Sequence, residues 1–212
     1  MNPKKGTPPM PGKHANNWDN RYDHDRYFYG VDPNYLVARE LPGLPPGRGL
    51  FLAEGEGRNA VFAAGLGHEV TAVDSSQVGR LKAQHLAEAR GVRIRYRDED
   101  VVTGDWDRDE WDFVVMCFAH LPPEEMPQVH ARIARSLRPG GRLIHVSFSK
   151  AQLGRPSGGP PRLGWLHALP DLKDQYAGLD LAVAEEKEVV LDEGPGHNGA
   201  ALVIEIVGTR PE

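Results

Sequence analysis

The sequence predicts an α/β fold: a doubly wound, mostly parallel, seven-stranded sheet that ends in a C-terminal antiparallel strand pair. Three observations carry this. From residue 49 onward, short β-branched runs alternate with helical stretches; a glycine-rich turn follows the first run; and the last two runs have no helix between them. Strands separated by helices enter a parallel sheet through right-handed crossovers, whereas directly joined strands pair antiparallel.

The elements follow in order. Residues 1–15 (MNPKKGTPPMPGKHA) have little to bury and read as a mobile tail. Residues 16–48 form an arm without a clean period, holding four of the six tyrosines, with a short helix over Leu36–Leu41 and a breaker-rich loop over Pro42–Gly47. The main domain spans 49–210. Its first strand, Gly49–Ala53, runs into the turn EGEG, and RNAVFAAGLG suits a helix. Glu69–Asp74 is a β-branched strand. Ser75 or Ser76 caps the next helix, which Gly91 closes. Val92–Tyr96 alternates as a strand, Phe113–Phe118 reads as a buried central strand, and Glu124–Leu137 is amphipathic. Arg142–Phe148 is the fifth strand. A Gly/Pro-rich loop (154–164) and a weak helix near Asp171–Tyr176 lead to the closing strands, Leu181–Leu191 and Ala200–Thr209.

Composition narrows the function. The 212 residues are 40% hydrophobic and 26% charged, enough apolar material for one core. With 25 basic and 30 acidic residues the net charge is −5, which argues against a nucleic-acid or anionic-membrane binder. The single cysteine, Cys117, makes no internal disulfide. No apolar run approaches the roughly 18 residues of a membrane span, so the expectation is a soluble cytoplasmic protein. His14, His24 and His68 show no metal-ligand spacing, and no metal is expected.

Ligands of open α/β sheets bind beyond the carboxyl ends of the strands. Gly55–Ala60 (GEGRNA) fits the G-x-G-x-x-A pattern there, where missing side chains let a ligand approach backbone and helix N-terminus. Asp74 ends the second strand 17 residues after Gly57, placed to accept the ribose hydroxyls of a nucleotide. The pair points to an adenosine-containing cofactor. An NAD(P)-binding oxidoreductase is one reading, although the roughly 90 residues after the fourth strand offer no obvious substrate domain or hydride-transfer acid. A nucleotide-binding module without catalysis is another.

Read in order, WDNRYDHDRYFYG, FLAEGEGRNAVFAA, GHEVTAVDSS, CFAHLPP, LRPGG and LDEGPGHNG make the chain resemble a class I S-adenosylmethionine-dependent methyltransferase, with a Rossmann-like sheet. The likeness is to the tellurite-resistance TehB-like branch and, more loosely, to thiopurine methyltransferases, and covers about residues 17–209. The resemblance implies S-adenosylmethionine as cofactor, S-adenosylhomocysteine as product, and a small-molecule methyl acceptor such as a thiol or chalcogen oxyanion. It implies that Gly55 and Gly57 pass under the methionine part, with Glu54 and Asn59 beside it. Asp74 would hold the ribose, Ser75 would sit next to the adenine, and Asp100 and Val101 would bind it. Cys117 and His120 would line the methyl-transfer face, and Trp18, Arg21, Tyr22 and Tyr29 would close over the cofactor as a lid.

The family usually opens its first motif with an acid and a glycine, where this chain has Phe51 and Ala53. Glu54 and Glu56 are the candidate substitutes. If a base is needed, His120 and His197 are the imidazoles placed to serve. Arg21 or Arg155 would hold an anionic substrate. Each has a plain alternative: Asp98–Asp100 as a solvated loop, His197 as part of a glycine turn, Cys117 as a small buried hydrophobe, Arg155 as a solvated loop arginine.

Overall fold

The computed structural model describes residues 15–108 and 110–212; residues 1–14, most of the expected tail, lie outside them, as does His14. The chain runs α1 (Ala15–Tyr22), α2 (Tyr35–Glu40), β1 (Arg48–Leu52), α3 (Arg58–Gly65), β2 (Glu69–Asp74), α4 (Gln77–Ala89) and β3 (Arg95–Asp98). It continues with β4 (Trp111–Cys117), α5 (Met126–Ser136), β5 (Leu137–Phe148), α6 (Leu169–Gln175), β6 (Asp180–Asp192) and β7 (Asn198–Thr209). The seven strands are ordered β3-β2-β1-β4-β5-β7-β6. The first five are parallel, and β7 enters antiparallel between β5 and β6.

The central strands are buried on both faces, so their sequences are continuous apolar runs. Alternation then sends Leu50, Val114, Met116 and Leu143 toward α5 and α6, and Phe51, Phe113, Val115 and Ile144 toward α2 and α3. The order reverses beside β1, which opens a crevice between the β1 and β4 carboxyl ends, the switch point where such sheets bind ligands.

Two expectations change. The arm contains a helix, α1, although its sequence shows no clean period. Trp18 and Tyr22, one turn apart, stack with centroids 5.6 Å apart, and the helix is held by α4 rather than by its own propensity. The third strand starts three residues later than predicted. The Val92 amide donates to the Ala87 carbonyl to finish α4 (3.0 Å), and Val92 and Ile94 pack on Val61, Leu86 and Ala87. Pairing with β2 therefore begins at Arg95, opposite Thr71.

Candidate active site

The turn after β1 is built by its glycines and by two acids. Gly55 and Gly57 take left-handed backbone (φ 57° and 89°). A side chain at Gly55 would reach to 2.5 Å from the Tyr22 hydroxyl, and one at Gly57 would collide with Ala83. Ala53 and Phe118, just past β1 and β4, are also left-handed (φ 51° each). Such backbone costs a non-glycine residue roughly 1–2 kcal/mol. Strain at two neighbouring strand ends is typical of a site that aims particular groups. Ala53 carries it where the family pattern has glycine.

Asp74 holds this turn from the side. Its Oδ2 accepts the Gly55 amide (3.0 Å) and its Oδ1 the Ser76 amide (2.8 Å). Burial pushes its carboxyl up to about 6, against the pull of these amides. The Ser75 amide also draws on the group, and of its four lone-pair sites one is left for a further donor. Glu54 Oε1 accepts the Ala60 amide at the start of α3 (2.8 Å), and burial pushes its carboxyl up to about 7. Phe51 is a core residue, edge-on to Phe113, so the acid missing there has no counterpart in that position. Of the two candidate substitutes, Glu56 is taken by the arm: Oε2 accepts the Phe28 and Tyr29 amides (2.7 and 3.3 Å) and Oε1 pairs with Lys82 (2.5 Å). Glu54 is the acid that remains.

The arm closes from above. Trp18, Tyr22 and Tyr29 join Ala53, Glu54, Asn59, Asp74, Cys117, Phe118, His120 and His197 around a first cavity of about 80 Å³. A second cavity of about 530 Å³ adjoins it and shares Trp18, Tyr29, Phe118, His120 and His197. Small-molecule sites measure roughly 300–1,000 Å³, so the first is closed down and the second is ready-formed. Lys82 is the latch. Its ammonium donates to the carbonyls of Tyr22, His24 and Arg26 (3.1, 3.0 and 2.8 Å) as well as pairing with Glu56. Hydrogen bonds to charged groups are worth about 1.5–3 kcal/mol, so Lys82→Met is expected to speed release of a ligand beneath the arm by about tenfold or more. Stopped-flow fluorescence of Trp18 reads that rate directly.

The two candidate imidazoles differ. His120 Nδ1–H donates to the Trp165 carbonyl (2.7 Å), and its Nε2 accepts the Phe148 amide (3.3 Å). Burial lowers its pKa to about 4. The lone pair a base needs is already engaged. His197 stands between Tyr29 and Phe118 (centroids 4.4 and 4.5 Å) with Nδ1 facing Glu193 Oε2 at 3.4 Å. Burial lowers its pKa although Glu193 pulls it back up, so it is neutral at pH 7. Glu193 in turn pairs with the buried Arg58 (2.8 Å) and accepts from Asn34 (2.7 Å), while Asn59 accepts the Asn34 amide (2.8 Å). Burial pulls the Glu193 carboxyl up, but His197 and Arg58 together hold it below the usual range.

Among the sequence candidates, Trp18, Tyr22, Tyr29, Glu54, Asn59, Asp74, Cys117, His120 and His197 thus come together around the first cavity. Gly55 and Gly57 form the turn beneath it, and Arg21 lines the second cavity only. Ser75, Asp100 and Val101 line neither. Ser76 rather than Ser75 caps α4, Asp100 Oδ1 accepts the Val102 amide (2.7 Å), and the Val101 carbonyl accepts the Trp106 indole (2.8 Å). Burial pushes the Cys117 thiol up, so it stays neutral. Arg155 pairs with Glu188 (2.7 Å) away from both cavities. Sequence reasoning missed Arg58, Glu193 and Phe118; the acid four residues before His197 in LDEGPGHNG was the available signal. Among the described residues no group of three or more His, Cys, Asp or Glu is arranged to hold a metal ion, and no helix is long and apolar enough to cross a membrane.

A glycine turn after β1, an acid ending β2 and a reversed hairpin with β7 inside β6 define the class I S-adenosylmethionine-dependent methyltransferase fold. Residues 50–141 match the family model described as a methyltransferase domain. Its fold is similar to that of TehB from Haemophilus influenzae (TM-score 0.71, 18% identity, covering 93% of this chain and 67% of that one). It is also similar to the N-methyltransferase NodS from Bradyrhizobium japonicum in complex with S-adenosylhomocysteine (TM-score 0.70, 14% identity, 95% and 100% covered). A curated relative, hemagglutinin 1 of Eikenella corrodens, is 26% identical over 127 residues. That alignment takes in 59% of this chain and spans only 42% of the relative's length. The cofactor of this class of fold is S-adenosylmethionine.

Proposed function

We propose that the protein transfers a methyl group from S-adenosylmethionine to a small-molecule acceptor by in-line displacement. The observation that carries this reading is the pair of adjoining cavities: one over the glycine turn and Asp74, the other beyond Phe118 and His197. When bound, the cofactor supplies a methyl group on a sulfonium, an already activated leaving group. The residues present fit it in chemistry: bare backbone at Gly55 and Gly57, the remaining lone pair of Asp74 for a ribose hydroxyl, and the Glu54 carboxylate for a cation. The arm must lift to admit it, which the Lys82 latch allows.

The chain's own contribution is alignment and exclusion of water. Trp18, Tyr22 and Tyr29 cover the reacting atoms, and their ring faces steady a cation at about 0.5–2 kcal/mol. His197, held by Glu193, takes a proton from an acceptor that has one to lose. A thiol or chalcogen oxyanion, the acceptors implied by the family likeness, asks least of such a base. The NAD(P)-dependent oxidoreductase reading has no support in the matched domain or in the strand order.

Calorimetry with S-adenosylhomocysteine tests the reading. The wild type is expected to bind, and Asp74→Asn to bind about tenfold to a hundredfold more weakly, because the amide turns an N–H toward the Gly55 or Ser76 amide and leaves a donor unpaired. Wild-type affinity should also fall as pH drops through about 6, where the Asp74 carboxyl takes up a proton. Absence of wild-type binding sinks the proposal; binding with no transfer to any acceptor would instead favour an inactive nucleotide-binding module.

A further inference from the structure

The second cavity has more flat surface and more positive charge than a bare oxyanion needs. Its volume of about 530 Å³ is lined by six Phe, Tyr and Trp side chains: Trp18, Phe28, Tyr29, Phe118, Phe148 and Trp165. Phe118 and Phe148 pack ring against ring, centroids 4.4 Å apart with planes inclined at 30°, and both line this cavity. An oxyanion of a few atoms would leave most of this space empty and the ring faces uncovered.

Charge is placed with equal selectivity. Arg21 and Arg162 both line the cavity, and no aspartate or glutamate does. Neither guanidinium is paired with a carboxylate among the described residues. Arg21 lies 5.0 Å from the Trp18 ring and 5.4 Å from Phe28 and donates to the Tyr29 hydroxyl; Arg162 lies 5.8 Å from Trp165. An arginine against a ring keeps its outward N–H donors for a carboxylate. Where the two cavities meet, His197 presents a ring whose Nδ1 is already turned to Glu193. An oriented base of this kind is superfluous for an oxyanion without a proton and is required for a hydroxyl.

We infer that the methyl acceptor is an aromatic carboxylic acid bearing a ring hydroxyl, with its carboxylate at Arg21 and Arg162 and its hydroxyl at His197. This rests on the proposed cofactor reading. The hydroxyl oxygen forms the new bond to the methyl carbon as the carbon–sulfur bond breaks and sulfur keeps that pair, giving the thioether product. The hydroxyl proton passes to His197 Nε2, and the products are an aryl methyl ether and S-adenosylhomocysteine.

The test uses the full chain saturated with S-adenosylhomocysteine and two acids, 4-hydroxycinnamate and 6-hydroxy-2-naphthoate, each against its neutral amide. Calorimetry is expected to show the acids binding about tenfold or more tightly than the amides, and Arg162→Gln to erase that preference while amide affinity holds. With S-adenosylmethionine in place of the product, mass spectrometry should find a methyl ether with a free carboxylate. Equal binding of acids and amides, a methyl ester as product, or displacement of the acids by tellurite would each overturn the inference and leave the cofactor reading standing. Failure of S-adenosylhomocysteine itself to bind overturns both, and the two failures are thereby told apart.

Discussion

Glu193→Ala is expected to unfold the protein well below the wild-type temperature. Glu193 is the shared partner of Arg58, Asn34 and His197, all buried. Removing one side of a buried ion pair costs about 3–5 kcal/mol, because the remaining charge has lost both water and partner. At about 2–4 °C per kcal/mol for a chain of this size, the unfolding midpoint should fall by roughly 6–20 °C. The guanidinium of Arg58 also donates to the Tyr29 carbonyl (2.9 Å), so the arm loosens with it. A double variant, Arg58→Met with Glu193→Leu, should recover most of the loss, since no buried charge is then left unpaired. In the folded fraction the double variant remains slow in transfer to a hydroxyl acceptor, because His197 has lost the carboxylate that orients it. Calorimetric scans of the three proteins check this; a drop of less than 2 °C for Glu193→Ala would show that the pair is solvated.

Acidification is expected to unfold the wild type between about pH 5 and 4. His120, His130, His145 and His167 lie on the α5–α6 side of the sheet, with centroids of neighbouring rings 5.1–5.9 Å apart. Nε2 of His130 and His145 and both nitrogens of His167 have no hydrogen-bond partner among the described residues. His130 Nδ1 faces Gln175, and His145 Nδ1 faces the Tyr176 hydroxyl (3.0 Å), so no carboxylate is there to receive a charge. Burial lowers His120 and His130 to about 4 and His167 to about 2, and places His145 well below its ordinary value. Lys150 and the neighbouring rings add to the lowering at His167.

Because the folded pKa values lie below the unfolded value of about 6.5, the stability these rings contribute is complete above that pH. It is lost as pH falls. At pH 4.5 His120, His130 and His167 each cost about 2.5 kcal/mol, or about 7–8 for the three, and His145 acts in the same direction. Glu54 and Asp74, raised to about 7 and about 6, act in the opposite sense and return about 4–5 kcal/mol as they take up protons. The net loss of about 3 kcal/mol, to which His145 adds, is a large fraction of the roughly 5–15 kcal/mol that holds a domain folded. Circular dichroism against pH should show the transition, and His167→Leu should move its midpoint to lower pH. An unchanged spectrum down to pH 4 would mean that water reaches the cluster.

Much of the fold was legible along the chain because its causes are local. Runs such as FVVMCF and EVTAVD are apolar on both faces only if both faces are covered, and the missing helix before Ala200 forces β6 and β7 to pair antiparallel. The glycine turn and Asp74 were legible for a similar reason: their spacing follows from one strand–helix–strand unit. The order of β7 inside β6, the late start of β3 and the helix in the arm were not, since each is set by a surface contributed from elsewhere. The same holds in the site. Sequence named His120 and His197 alike, but only packing engages both nitrogens of one and turns the other against Glu193. Sequence offered Arg155 as an anion contact, and the folded chain pairs it with Glu188 and brings Arg162 to the cavity instead. Composition and periodicity thus determined the sheet, its crossovers and the glycine turn at the carboxyl end of β1. Tertiary structure alone decided which polar groups are left with unsatisfied hydrogen-bonding capacity at the cavities, because that depends on partners brought together from distant parts of the chain.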